Sequence, residues 1–377
     1  MPEQLSRATH VPFLDLQPSH RDLAGPVLEG IAELLETGAF TNGPQVAEFE
    51  AAFSAYCGTT HAVGLASGLD ALRLALIAAG LAAGDEVVVP ANTFVATVEA
   101  VTQAGGRPVL VDAQESDYNL DADATAAAIT PRTRFVVPVH LYGQLADMRA
   151  LTELARERSV DLVEDACQAH GAVRDGIRAG SAGRAAAFSF YPGKNLGAFG
   201  DAGALVTDDS DLALRVRALR EHGQTRKYHH EIEGWTSRLD TIQALVLSLK
   251  LPLLDHWNEQ RRAAARYYLE SLDGVGDVRL PPVPEGSDPV WHLFVIRTPS
   301  VDALQSFLGE SGVATGRHYP QPIHLTPAYE SLGYRRGEFP VAEALSSDVL
   351  SLPIYPGIDE AQLDAVVAGV RAFFSRG

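Results

Sequence analysis

Cysteine, methionine and tryptophan are scarce, at two, two and three residues in a chain of 377. Cys57 and Cys167 lie far apart without metal-ligand spacing, which excludes a disulfide framework and speaks against a zinc site; no metal is expected. No window holds the ~20 unbroken apolar residues of a membrane span, so no membrane anchor is expected. The opening Met1-Pro2-Glu3-Gln4-Leu5 has no basic stretch leading into an apolar segment, and the expected location is the cytoplasm. Positive charge is short as well. Thirty Lys and Arg face 48 Asp and Glu, a net charge of −18 that repels polyanions and argues against nucleic acid as a partner. One basic cluster stands out, Arg226-Lys227-Tyr228-His229-His230, either a solvated loop or an anion-binding element. Internal repeats and low-complexity tracts are absent.

What is present is alternation. From about Val46 to Thr207, short β-rich runs alternate with amphipathic helical stretches, the pattern of a mostly parallel sheet covered by helices. The strands expected are His61 to Leu65, Glu86 to Pro90, Pro108 to Asp112, Arg134 to Val139, Asp161 to Glu164, Ala186 to Phe190 and Ala204 to Thr207. Helical spacing marks Leu69 to Ala79, Val95 to Gln103 and Met148 to Arg158. A longer helical pattern from Ser237 to about Leu269 contains Pro252, which should kink or break it. Beyond Pro281-Pro282-Val283-Pro284, strands are expected at Trp291 to Arg297, Ala314 to His318 and Val349 to Ile354, with helices near Val301 to Glu310, Val341 to Ser347 and Glu360 to Phe374. The expected fold class is α/β: a large domain, residues 1–250, with a mostly parallel seven-stranded sheet and an N-terminal arm over 1–25, then a smaller α+β domain, residues 251–377.

Three motifs carry chemistry. In Ala66-Ser67-Gly68-Leu69-Asp70 a strand runs into a helix, Ser67 and Asp70 have capping-box spacing, and Gly68 lets an anion approach free backbone N–H groups; alone, this marks no more than a capped helix. In Val163-Glu164-Asp165-Ala166-Cys167-Gln168-Ala169-His170 an apolar strand ends in two acids, where ligands bind in open α/β sheets. Asp165 there either meets a cation such as a protonated pyridine nitrogen or caps the next helix. In Phe188-Ser189-Phe190-Tyr191-Pro192-Gly193-Lys194-Asn195 a strand delivers a lysine into a glycine-rich, partly apolar setting. Desolvation can make that lysine a nucleophile toward an aldehyde; otherwise it is a surface lysine after a turn. A P-loop is excluded, because no glycine precedes Gly193-Lys194 at the required spacing and no Ser or Thr follows.

In chain order these supply a phosphate site, a pyridinium partner and a Schiff-base lysine. With them, the chain resembles the DegT/DnrJ/EryC1/StrS family of sugar aminotransferases of aspartate-aminotransferase-like fold, from Val11-Pro12-Phe13-Leu14-Asp15-Leu16 to Leu352-Pro353-Ile354-Tyr355-Pro356-Gly357. The resemblance implies pyridoxal 5′-phosphate as cofactor, Lys194 as the Schiff-base lysine and Asp165 as partner of the pyridine nitrogen. It implies that Phe94, in Pro90-Ala91-Asn92-Thr93-Phe94, stacks on the ring and that Gln168 lies at its hydroxyl edge, while Gly68, Leu69 and Ser189 hold the phosphate. Thr236, in Gly234-Trp235-Thr236-Ser237-Arg238-Leu239, stands where the family usually has the Asn that reaches the phosphate of a neighbouring subunit. Lysine at 194, rather than the histidine of the family's dehydratase branch, implies transamination.

The segments Val139 to Met148 and His318-Tyr319-Pro320-Gln321-Pro322-Ile323-His324-Leu325 resemble members that aminate the 3-keto group of a dTDP-linked 6-deoxyhexose. The partners implied are that nucleotide-sugar and L-glutamate, with a second copy of the chain sharing sites across a homodimer interface. His318, Tyr319 and His324 are candidate substrate contacts, as are Arg226, Lys227 and Tyr228 for the nucleotide diphosphate. Open alternatives are a 4-keto sugar nucleotide, a cyclitol or other cyclic ketone, and a cofactor-binding sensor without turnover.

Overall fold

A computed structural model describes residues 10–376, so residues 1–9 of the expected N-terminal arm lie outside the described residues. The central sheet has seven strands: β1 His61–Leu65, β2 Glu86–Pro90, β3 Arg107–Val111, β4 Thr133–Val136, β5 Asp161–Asp165, β6 Ala185–Ser189 and β7 Gly203–Thr207. Their spatial order is β1-β7-β6-β5-β4-β2-β3. The run from β3 to β6 is parallel, and β7 lies antiparallel to both β6 and β1. Helices cover both faces, so a central strand such as β2 is buried throughout and reads as the unbroken Val87-Val88-Val89 rather than as alternation. The residues of one strand divide between two cores: Val88 and Leu162 pack on one face, Val87, Val89 and Val163 on the other.

The helices begin where the sequence offers caps. Ser67 Oγ accepts from the Asp70 N–H at 3.1 Å to start the helix Gly68–Ala78, and Asp147 does the same for Met148–Arg158. The expected capping box at Ser67 is only half formed, because the Asp70 carboxylate turns to Arg73 and to the Ser237 hydroxyl at 2.7 Å. Pro252 interrupts the long helical pattern as expected: a helix over Thr241–Lys250 passes through a tight turn, Leu251–Leu253, into Leu254–Leu272. Ser237 to Asp240 lie outside it, with Asp240 at the cap position.

A further core gathers Tyr268, Phe294, Ile296, Leu308, Leu350 and Val370, and Val11 from the N-terminal segment enters it. Phe294–Arg297 pairs antiparallel with Val349–Leu352. The strand expected over Ala314 to His318 is not formed. Single bridges tie Val313 to Val11 and Gly316 to Ser351, and the chain then turns away to bring His318 and Tyr319 toward the sheet. Leu254 packs in the sheet's core and Tyr268 in this one, so the helix Leu254–Leu272 spans both. No helix among the described residues is long and apolar enough to cross a membrane.

Glu164, fully buried at the end of β5, accepts from the backbone N–H groups of Gly180, Ala182 and Gly183 at 2.7–2.9 Å and pairs with His140 Nε2 at 2.8 Å. His140 Nδ1 accepts from the Ala146 N–H, which puts the ring proton on Nε2. Burial works to raise the Glu164 pKa, but His140 and the backbone donors together hold it below the usual value. Glu164→Ala leaves these donors buried without an acceptor and is expected to cost about 3–5 kcal/mol in denaturant unfolding. Because the folded-state pKa is depressed, the stability from Glu164 is present above the unfolded carboxylate value of about 4.3 and is lost as pH falls through the folded pKa.

Candidate active site

At the carboxyl edge of the parallel strands lies a cavity of about 510 Å³. Its walls bring together Gly68, Leu69, Phe94, Asp165, Gln168, Ser189, Lys194, His318 and Tyr319, residues spread over 252 positions of sequence (68 to 319).

The helix Gly68–Ala78 points its N-terminus into the cavity, and Ser67 takes only the Asp70 amide, leaving those of Gly68 and Leu69 without an intrahelical acceptor at the positive end. Gly68 must lack a side chain, since a Cβ there would lie 2.7 Å from both Cys167 Sγ and Ser189 Cβ. Asp165, at the tip of β5, does not cap a helix. Its Oδ2 accepts from Thr97 Oγ1 at 2.8 Å and its Oδ1 from the Cys167 N–H at 3.2 Å, which fixes the carboxylate's direction.

Lys194 stands five residues past the end of β6 and is half-buried. Burial lowers its pKa below the ordinary lysine value, opposed by the neighbouring Cys167 and Asp165. Its loop is fastened on three sides. Asn195 Nδ2 donates to Asn258 Oδ1 and to the Val290 carbonyl, each at 2.9 Å. The Phe199 N–H donates to Gln243 Oε1, and Lys250 Nζ reaches the Gly197 carbonyl at 2.6 Å. Lys250 is 3% exposed, contacts His20 Nε2 at 2.8 Å and lies against the Phe199 ring; burial pulls it down to about 8.

Phe94 is half exposed, an aromatic ring left unpacked on the cavity wall 5.4 Å from that of Tyr319. Gln168 Oε1 accepts from the Tyr142 N–H at 2.6 Å, which turns its Nε2 toward the Tyr319 hydroxyl at 3.1 Å.

A scan against family models matches residues 24–371 to the "DegT/DnrJ/EryC1/StrS aminotransferase family". The chain belongs to that family. A dTDP-3-amino-3,4,6-trideoxy-alpha-D-glucose transaminase of Streptomyces venezuelae is 49% identical, with 97% of each chain covered. Among solved structures, S. venezuelae DesV in complex with a ketimine intermediate aligns at TM-score 0.95 and 49% identity, covering 98% of this chain and 99% of that one. NtdA of Bacillus subtilis with bound cofactor PMP aligns at TM-score 0.91 and 34% identity, covering 99% and 87%.

The chain is thus an aminotransferase of the DegT/DnrJ/EryC1/StrS family, and its cofactor is pyridoxal phosphate. The residues present fit that group: free amides at a helix end beside the Ser189 hydroxyl for the phosphate, a carboxylate oriented by two donors for a pyridinium, and a desolvated lysine for the aldehyde.

Five expected site residues stand elsewhere. Thr236 is exposed outside this cavity and its hydroxyl meets His222 Nε2 at 2.9 Å. Arg226, Lys227 and Tyr228 form an exposed hairpin, Tyr228 being 79% exposed at its tip. His324 does not fit a substrate contact in this chain: it is buried against Phe339, its Nε2 3.0 Å from Glu343 Oε1, and lines no part of the cavity.

Sequence reasoning missed Thr97, Lys250, Arg261 and His292. Thr97 carries a signal in hindsight, three residues after Phe94 in the first turn of the helix Val95–Gln103, where a hydroxyl faces the strand tips. The others reach their partners across 30 positions or more and leave no local pattern.

Borohydride treatment of the holoenzyme is expected to fix the cofactor to Lys194, read by peptide mass, and Lys194→Ala to abolish the label. Lys250→Met should retain that label yet slow amine transfer about 10- to 100-fold in single-turnover absorbance, because the loop that presents Lys194 loses an anchor.

Proposed function

We propose that the chain transfers the amino group of L-glutamate to C3 of a dTDP-linked 3-keto-6-deoxyhexose, giving the 3-amino sugar of a deoxyamino-sugar pathway in antibiotic biosynthesis. The observation that carries this reading is the convergence of Lys194, Asp165 and the helix end at Gly68 on one cavity with His318 and Tyr319. The 49% identical relative supports the sugar class by its name.

Pyridoxal phosphate, when bound, supplies an aldehyde carbon that carries the amino group and a ring that absorbs the electron pair released at the donor's α-carbon. Asp165 keeps the pyridine nitrogen protonated, and Thr97 and the Cys167 N–H hold the carboxylate in place for it. Lys194 Nζ would take the proton from the donor's α-carbon, and its lowered pKa leaves more of the free amine at neutral pH. Gln168, held by the Tyr142 N–H and donating to the Tyr319 hydroxyl, would lie at the hydroxyl edge of the bound ring and tie it to the sugar pocket. Tyr319 and His318 face the sugar.

The active unit is a homodimer with shared sites. Leu28 and Leu35, 67% and 69% exposed and seven residues apart on the helix Ala24–Thr37, form an apolar stripe, and Tyr191 and Phe199 are exposed beside the Lys194 loop. A second copy covers this face, and the partner's cavity receives Thr236 for the phosphate and the Arg226–Tyr228 hairpin for the nucleotide diphosphate. The chain divides at 250/251, the second part lending His318 and Tyr319 to the cavity, and the protein works in the cytoplasm.

Glutamate is expected to bleach the cofactor's visible band and a dTDP-linked 3-keto-6-deoxyhexose to restore it. Restoration only by a 4-keto sugar nucleotide or a cyclitol ketone would move the substrate, and no restoration by any ketone would leave a non-catalytic sensor. Asp165→Asn should still bind the cofactor but lose on the order of 10²–10³-fold in turnover. Leu28→Glu with Leu35→Glu should shift sedimentation from dimer to monomer.

A further inference from the structure

Arg261 completes the cavity wall with His292 and His318, and the arrangement so far gives it no task. It is 2% exposed on the helix Leu254–Leu272. Nη1 donates to the carbonyl oxygens of Trp291, His292 and Ile354 at 3.2, 3.3 and 2.9 Å, while Nε is buried without an acceptor. Burial alone pulls the guanidinium down to about 9, with no carboxylate among the described residues acting the other way. A buried charge of this kind is expensive unless an opposite charge meets it, and carbonyl dipoles offset only part of the cost.

Three carboxylates, Glu99, Asp165 and Asp201, line the same cavity, but none of them forms an ion pair with Arg261 or raises its pKa. His292 Nδ1 is 3.2 Å from Asn195 Oδ1, whose amide nitrogen is committed to Asn258 and Val290; Nδ1 therefore carries the proton. Burial, and then the charges of Lys194 and Arg261, hold His292 well below its ordinary pKa, so its ring is neutral and lies within electrostatic reach of both cations. Burial and Lys194 push His318 down to about 4. Asp165 is engaged with the cofactor's pyridinium on the reading above. The counter-charge must arrive with a substrate.

Of the two substrates, the keto-sugar carries its negative charge on the nucleotide diphosphate, a sugar ring away from the reacting carbonyl. The amino donor carries a carboxylate on the same carbon as the reacting amine. Arg261, His292 and Lys194 line the same cavity, so the guanidinium and the amine that gives way to the donor's nitrogen face one shared space. We propose that Arg261 binds the α-carboxylate of the amino donor and thereby selects amino acids over simple amines in the first half-reaction. This rests on the transamination reading.

The test uses the holoenzyme and follows the cofactor's visible band in single turnovers. Donors are L-glutamate and n-butylamine, which lacks a carboxylate; in the second arm the aminated cofactor form reacts with the keto-sugar nucleotide. In Arg261→Gln the second-order rate with glutamate is expected to fall about 100-fold or more, while the rates with butylamine and with the keto-sugar change less than about 3-fold. Arg261→Lys, which keeps the charge and can still reach a carbonyl, should lose less with glutamate and carries the test if Arg261→Gln does not fold. Equal losses with both donors would reduce Arg261 to a structural clamp on Trp291, His292 and Ile354 and overturn the proposal. A loss confined to the keto-sugar arm would overturn it too. A wild-type holoenzyme that glutamate leaves coloured would sink transamination itself, an outcome distinct from both.

Discussion

The site depends on a division of labour between two adjacent acids. Glu164 and Asp165 close β5, and because strand side chains alternate between faces, they point in opposite directions. Glu164 turns into the core and gathers the N–H groups of Gly180, Ala182 and Gly183 with the His140 ring. Asp165 turns into the cavity. Burying the first carboxylate is tolerable only because four donors meet it, and meeting them closes the loop that leads into β6. The register then does the rest: Asp165 lies opposite Ala187 of β6, so the strand that ends in the pyridine partner and the strand that launches Lys194 are locked side by side. A slip of one residue would exchange the two carboxylates between core and cavity.

Beyond β6 the glycines serve close packing more than flexibility. A Cβ at Gly197 would sit 2.3 Å from the Pro192 carbonyl oxygen, and one at Gly203 would sit 2.3 Å from the Ser67 carbonyl carbon. The first lets the loop fold back over itself so that Lys250 can hold it. The second lets β7 pass directly beneath the turn whose amides face the cavity. The lysine loop is thus closed on itself and the strand that follows it is packed on the phosphate-facing turn through backbone, which limits how far the two can shift.

Much of this was legible before folding. Each strand of the central sheet appeared as a short apolar run bounded by turn residues, and every observed bound but one lies within a residue of the expected one; β4 ends three residues early, at Val136, although the Val137 N–H still donates to Val88 and Val139 bridges Asp165. Lys194, Asp165 and Gly68 were legible because each sits at the end of a strand, where local sequence and ligand position coincide. Legibility failed where burial is decided at long range. Ala314 to His318 has the composition of a strand, but the chain there must deliver His318 and Tyr319 to the cavity and pairs only through single bridges. His324 resembled a pocket residue because it follows them in the same segment; three-dimensional packing instead gave its ring to Phe339 and Glu343. Lys250 and Arg261 look like ordinary helix-surface cations, and only the fold reveals that both are buried with no carboxylate partner among the described residues.

Buried groups of both signs set the field that anionic reactants meet in this acidic protein. The net charge of −18 is spread over the surface, and the cavity wall itself sets Lys194 and Arg261 among three carboxylates, Glu99, Asp165 and Asp201, while His292 and His318 contribute no charge. Burial and nearby cations keep His292 and His318 neutral, and also hold His170, packed outside the cavity wall against Phe188 and Phe190, at about 3. Protonating any of them would place a further cation near Lys194 and drive the amine's pKa lower still. Keeping them neutral fixes the field in the cavity across the range where histidine ordinarily titrates. The charge at the reacting centre is then set by the lysine, the cofactor and the reactants, which is what a two-stage transfer through one shared cavity requires.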